Sequence, residues 1–213
     1  MLSMSEALNR TVQMALESVY QHPWHALTPH HRNAIYTAIG SLAIRNSWTV
    51  RSFLAIIAAQ RVLPVWRRTR PNDARAEQLV DFAVTQVQRA VADDVAIQKA
   101  GEAWNWLLND YGERTEELEL DAFFAIAAAM EAALISLGVE RFLDIVIEER
   151  TTDADLDPWC SDAAKYAAMA VSGAIWEQGS SSQLRLEFWK WWLLEAIPQA
   201  HNAAATLAFS EVA

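Results

Sequence analysis

Along most of the chain apolar residues return at steps of three and four, the period of a helix buried on one side. Leu8, Val12, Ala15, Leu16 and Val19 mark a first helix over 5–20. HPWHALTPHH then breaks the period, and Thr28 followed by Pro29 reads as an N-cap with proline at the first helical position. Ile35, Ala38, Ile39 and Leu42 carry the next helix. After a break near 45–47, Phe53, Ile56, Ile57 and Val62 carry another, which is expected to end before Pro64. RRTRPND is a turn, and Asn72 or Asp73 opens a helix with Leu79, Phe82, Ala83 and Val87. A further helix over 94–109 places Ile97, Gly101, Trp104 and Leu108 on one stripe. The most apolar helix, with FFAIAAAMEAALISL, covers 119–137 and stops at Gly138. A short helix over 140–149 follows, and Asp157-Pro158 opens one that runs through Tyr166, Met169, Ala170 and Trp176. GSSSQ is a linker, and the last helix begins near Gln183. The pattern predicts an all-α fold of eight or nine helices in a single-domain multi-helix bundle, with no sheet and no repeat. Residues 1–28 form an N-terminal helix and a His/Pro-rich linker, and 29–213 form the helical core.

Composition supports that class. The chain has 213 residues, 53% of them hydrophobic, with only 6 Gly and 6 Pro to supply turns. That length buries a core without staples. Cys160 is the only cysteine, which excludes an internal disulfide framework and fits a reducing compartment, the cytoplasm. The longest uncharged stretch, AIPQAHNAAATLAFS, is too short and too polar to span a bilayer. Charge changes the picture more. The formal net charge is −10, and residues 113–162 hold 14 acidic against 3 basic side chains, while the rest of the chain holds 13 against 14. Nucleic acid is disfavoured as a partner, because phosphate contacts need clustered Lys and Arg. The plain reading of such a run is a solvated helix face with acidic loops. The sharper one is a surface that steers a basic protein partner.

Sites with a spacing signature are absent. His22, His25, His30 and His31 invite a metal, but Pro23 separates the first pair and no His has Glu three residues before it. DADLD, 153–157, starts like a calcium loop, yet Pro158 stands where glycine is needed and Ala164 where glutamate should be. There is no glycine-rich phosphate loop and no nucleophile elbow. Neighbouring acids such as Asp93-Asp94 and Glu148-Glu149 do not share a helix face. No catalytic residue, cofactor or metal ligand is predicted, and the protein reads as a non-enzyme.

LEFWKWWLLEAIPQAH, 186–201, is the densest chemical feature. On a helix, Leu186, Trp189, Leu193, Ile197 and Ala200 form one stripe, and Leu184, Phe188, Trp191 and Trp192 an adjacent one. Two stripes mean burial on more than one side. Glu195 among these rings needs donors or exposure. Indole N–H groups and an arginine are its natural partners, so it is expected to act as an internal tether. Pro198 is expected to bend or restart the helix.

FWKWWLLEAIPQA, 188–200, resembles the C-terminal signature of family five of the immunity proteins of bacterial polymorphic toxin systems. That signature is an aromatic-x-Trp-Trp (or Trp-Tyr) core followed by Leu, Glu-Ala, Ile-Pro or Val-Pro, and a final Ala. RVLPVW at 61–66, the Ala-rich helix at 121–138 and DAAKYAAMAVSGAIWEQG at 162–179 fit the same pattern in order. The resemblance implies an all-α, non-enzymatic protein without a cofactor, which binds and neutralises a cognate protein toxin. A basic nuclease is the kind of toxin that its acidity suits. Trp189, Trp192, Glu195 and Pro198 carry over as fold determinants. Charge clustering alone nominates Glu116, Glu117, Glu119, Asp153 and Asp155 as toxin contacts. Two other readings stay open at this point: a small-molecule binder or enzyme with a Trp-lined pocket around Glu195, and a non-catalytic scaffold subunit.

Overall fold

Ser5 accepts a hydrogen bond from the Leu8 amide and so caps α1 (Glu6–Gln21). Thr28 does the same for α2 (Pro29–Ile39), with Pro29 in its first turn. The computed structural model describes residues 4–89, 98, 102, 119–139, 147–148, 151–153, 156 and 161–210. α3 (Arg45–Thr69) and α4 (Arg75–Arg89) follow, then α5 (Leu120–Ser136) and α6 (Ala163–Ser172). A last rod is built from α7 (Ser182–Trp191), a π turn (Trp192–Ala196) and α8 (Ile197–Ser210). With that rod counted as one, the described residues hold seven helices and no strand, where the periodicity predicted eight or nine. Of the expected helix over 94–109 only Gln98 and Glu102 are described, both helical, and of that over 140–149 only Ile147 and Glu148, neither helical. The rest of both spans and the Asp157 cap lie outside the described residues.

α5 is the axis of the bundle. It is buried at 14 of its 17 positions, against α3, α4 and α6. A helix surrounded on every side has to be apolar all round, and neighbours can come close only if its side chains are short. Ala125, Ala127, Ala128, Ala129, Ala132 and Ala133 meet that need and are all but inaccessible. α6 repeats the device with Ala163, Ala164, Ala167, Ala168 and Ala170. α8 lies along α3, and α1 packs on α2 and the last rod. Gly138, in the left-handed region at φ +80°, ends α5 as expected.

Three boundaries differ from the sequence pattern. α3 continues through Pro64 to Thr69. Pro64 and Gln60 both lie on the exposed side, so the carbonyl that loses its helical donor faces solvent. Buried Trp66 then holds the last turn by donating from Nε1 to the Asp73 carbonyl at 2.7 Å. α6 begins after Asp162, whose side chain accepts from the Lys165 amide at 3.0 Å. It ends at Gly173, which leaves Trp176 in a turn beyond it.

The small-residue packing of α5 makes a direct prediction. Ala128→Leu forces branched carbons into filled space and should lower the unfolding free energy by about 1–3 kcal/mol in urea titration. An unchanged midpoint would show that α5 is not enclosed.

Candidate functional site

Among the described residues the densest charged cluster lies inside the bundle, around Arg32. α2 places Arg32, Ile35, Tyr36 and Ile39 on one stripe, so an apolar face carries a guanidinium inward. Arg32 has no exposed surface. Its Nε donates to Asp162 Oδ2 at 2.7 Å, Nη2 to Asp153 Oδ1 at 2.7 Å and Nη1 to the Leu27 carbonyl at 2.6 Å. Lys165 Nζ reaches Asp153 at 3.1 Å, and Tyr36 donates its hydroxyl to Asp162 at 3.3 Å. Arg51 lies over the Tyr36 ring at 4.9 Å and donates to the Gly40 carbonyl at 3.3 Å.

Burial penalises every charge here, and opposite charges decide the outcome. For Arg32, burial is outweighed by Asp153 and Asp162, and its pKa is raised. Burial would raise the Asp153 carboxyl, but Arg32 and Lys165 together hold it below its ordinary value. Burial lowers Lys165 despite Asp153, and pushes Arg51 down to about 10. It also raises the Tyr36 hydroxyl, with Asp162 adding to the effect. With Arg32, Lys165 and Asp162 nearly sealed from solvent, this cluster gives a substrate no entry. It clamps the 153 segment and the start of α6 to α2.

The aromatic rod is also a packing device. Trp189 stands edge-on to Phe188 at 5.2 Å and to Trp192 at 5.7 Å, and Trp192 edge-on to Tyr36 at 6.2 Å. The rings fill the space that a pocket would need. Neither Trp189 nor Trp192 finds an acceptor for its indole N–H among the described residues. At the π turn the Ile197 amide reaches back five residues to the Trp192 carbonyl. The wider turn absorbs the missing N–H of Pro198 and turns Leu194 and Glu195 out to solvent, while Trp192, Leu193, Ala196 and Ile197 stay buried. Glu195 is therefore exposed and is not the internal tether expected. Pro198 is met by a π turn within a continuous rod.

Two surface hollows are lined by described residues. One of about 660 Å³ lies between the ends of α3 and α6 and the starts of α5 and α7, with Val65, Arg68, Leu120, Asp121, Gly173 and Leu184 among its walls. The other, about 460 Å³, borders α1 at Met14 and Glu17, with His22 just beyond α1 and His31 of α2 also on its wall. The histidines near it serve the chain turn. His22 Nδ1 accepts from the Trp24 and Ala26 amides at 3.2 and 3.3 Å, and His31 Nδ1 meets Thr28 Oγ1 at 2.8 Å. Among the described residues no group of three or more His, Cys, Asp or Glu is placed to hold a metal.

A family model described as immunity protein Imm5 matches residues 12–199, which takes in the Arg32 cluster, α5 and the aromatic rod through its π turn. The chain belongs to that family. No curated protein matches it. For this Imm5 chain the match agrees with the resemblance read from FWKWWLLEAIPQA, and such membership implies a toxin partner in general. No described helix is long and apolar enough to cross a membrane.

The nominated contact residues separate. Glu119 is exposed at the N-cap of α5, within 3.5 Å of Thr69 Oγ1. Asp153 is turned inward to Arg32 and Lys165, its side chain only 16% exposed. It was nominated for its charge, and the buried cations use that charge. Glu116, Glu117 and Asp155 lie outside the described residues. Sequence reasoning missed Arg32, Asp162 and Lys165. For the two cations the available signal was a charge on an apolar stripe, Arg32 with Ile35 and Ile39 and Lys165 with Ala168 and Met169.

Two predictions follow from this geometry. Asp153→Ala takes the carboxylate from buried Lys165 and one of two carboxylates from buried Arg32. It should cost about 3–5 kcal/mol in chemical unfolding, whereas Glu195→Ala should stay within about 0.5 kcal/mol. Equal losses would contradict the placement of both residues. The second concerns pH. The Asp153 pKa is depressed on folding, so its contribution is full above the ordinary carboxylate range near ~4 and is lost as pH falls through the depressed value. His22 is lowered by burial first and by Arg185 next, so its contribution is full above about 6.5 and is lost as pH falls through its lowered pKa. Melting temperature should therefore fall in two stages on acidification. His201, also lowered by burial, adds to the upper stage with the same sign. His22→Asn should therefore flatten part of that stage and leave the lower one, and a melting temperature that rises on acidification would contradict both assignments.

Proposed function

We propose that the chain neutralises a cognate protein toxin by stoichiometric binding that covers the toxin's working surface. Membership of the Imm5 family over residues 12–199 carries this reading. The internal chemistry supports it. The charged cluster is enclosed, the tryptophans pack against one another, and Glu195 faces outward, so the residues that looked like a ligand site serve the fold. Binding is then work for the surface, and no cofactor is required.

The partner is basic where it meets this chain. A net charge of −10, concentrated in residues 113–162, attracts a cationic surface such as the phosphate-binding face of a nuclease and competes with its substrate. Glu116, Glu117, Glu119 and Asp155 are the proposed acidic contacts. Asp153 holds its segment in place from within. A lone cysteine suits work in the reducing cytoplasm of the cell that makes the toxin.

The test is co-expression with the toxin encoded by the adjacent gene. Cells should survive, and the purified pair should form a one-to-one complex. A chain that neither binds nor protects would end the reading. Association should also slow by about tenfold or more between low and high salt, as the Debye length shrinks from about 30 Å at 0.01 M to about 3 Å at 1 M. A salt-independent on-rate would remove the electrostatic part.

A further inference from the structure

The turn between α6 and α7 is rigid, and yet it exposes the most accessible large apolar side chain described, Trp176 at 66%. Its rigidity has several sources. The Ser181 amide donates to the Ser172 carbonyl at 2.7 Å and closes the base of the turn. Glu177 accepts from the Ala174 amide at 2.6 Å, and its own amide donates back to the Ala174 carbonyl at 3.0 Å. Buried Arg185 donates to the Gly173 carbonyl and to the Trp24 carbonyl, each at 3.0 Å. Gly173 sits at φ +73°, and a Cβ there would come within 2.9 Å of Glu177 Oε2. A turn held this firmly presents its indole without further ordering cost on binding.

Trp176 does not stand alone. Its neighbour Glu177 lines the hollow of about 660 Å³, which is also walled by Leu120 and Leu184, two further exposed apolar residues. Leu120 and Leu184 line the concavity, and the exposed Trp176 indole belongs to the residue next to its Glu177 wall. Tryptophan is among the residues that most often anchor protein interfaces. The rim supplies charge. Arg68 is paired with Asp121 at 2.9 Å, so the main cation of the hollow is offset. Glu119 stands exposed beside Leu120 at the end of ERTEELE, 113–119, which holds four acids and one base.

We propose that this hollow, with Trp176, Leu120 and Leu184 as anchors and Glu119 on its rim, is the docking surface for a protruding segment of the cognate toxin. That segment carries Lys or Arg next to an apolar side chain. Charge complementarity selects this occupant, since an acidic rim repels a second copy of this acidic chain. The proposal rests on the immunity reading and adds its location.

The test measures binding of the full chain to the purified toxin domain encoded by the adjacent gene, by interferometry. Trp176→Ala and Leu184→Ala should each weaken binding about tenfold or more, mostly through faster dissociation, with melting temperature unchanged. Leu194→Ala removes an equally exposed leucine ten residues, or about 15 Å, further along the same rod and should leave binding intact. Glu119→Lys should mainly slow association. If wild type binds and neither the Trp176 nor the Leu184 variant loses affinity, the location is wrong while the immunity reading stands. If wild type does not bind, both fall. A dimer of the chain alone that Leu184→Glu disperses would make a second copy the occupant and overturn the proposal.

Discussion

A guanidinium with no exposed surface must be met by acceptors within the protein, and Arg32 shows how far that requirement reaches. Its partners come from the end of the α1–α2 connection at Leu27, from Asp153 and from the cap of α6 at Asp162. Segments more than a hundred residues apart are thereby fixed to one side chain. A well-packed apolar substitute for such a cluster can be equally stable, so its use here is arrangement. Alanine helices slide over one another at little cost, because their surfaces carry few features. Fixed directional contacts from Arg32, Tyr36 and Lys165 give α2 and α6 one register.

The aromatic rod and α5 solve the complementary problem of filling space. α5 uses short side chains so that three neighbours can approach, and the rod fills its side of the core with rings packed edge-on against one another. The π turn joins these demands. One extra residue per turn lets Pro198 sit within a continuous rod and keeps Trp192, Leu193, Ala196 and Ile197 inside. Its consequence for function is negative but useful: it sends Glu195 outward and leaves no carboxylate among the rings.

Local signals read well from the sequence. Thr28-Pro29, Gly138 and the alanine run each act within a few residues, so α2 and both ends of α5 were legible, as was the all-helical class. What depends on direction was not. Clustered charge nominated Asp153, and counting charges cannot tell a carboxylate that faces solvent from one that faces Arg32. A period of 3.6 placed Glu195 beside tryptophans, and a single π turn shifts the phase that this inference needs. Pro64 looked like an end because the rule concerns hydrogen bonds lost, and at an exposed position that loss is small. Helical spacing runs on past Ser172 to Trp176, and it is the left-handed Gly173 that ends the helix before it.

The interior of this Imm5 chain is thus spent on stability and register, and its exposed residues are left to meet a partner. The most direct test of that division is hydrogen–deuterium exchange on the full chain with and without the inactivated toxin domain encoded beside it. The account predicts slower exchange in the complex at 119–121 and 173–184, with little change along α1 and α8. Protection confined to α1 or α8, or no protection on a chain that binds, would contradict it.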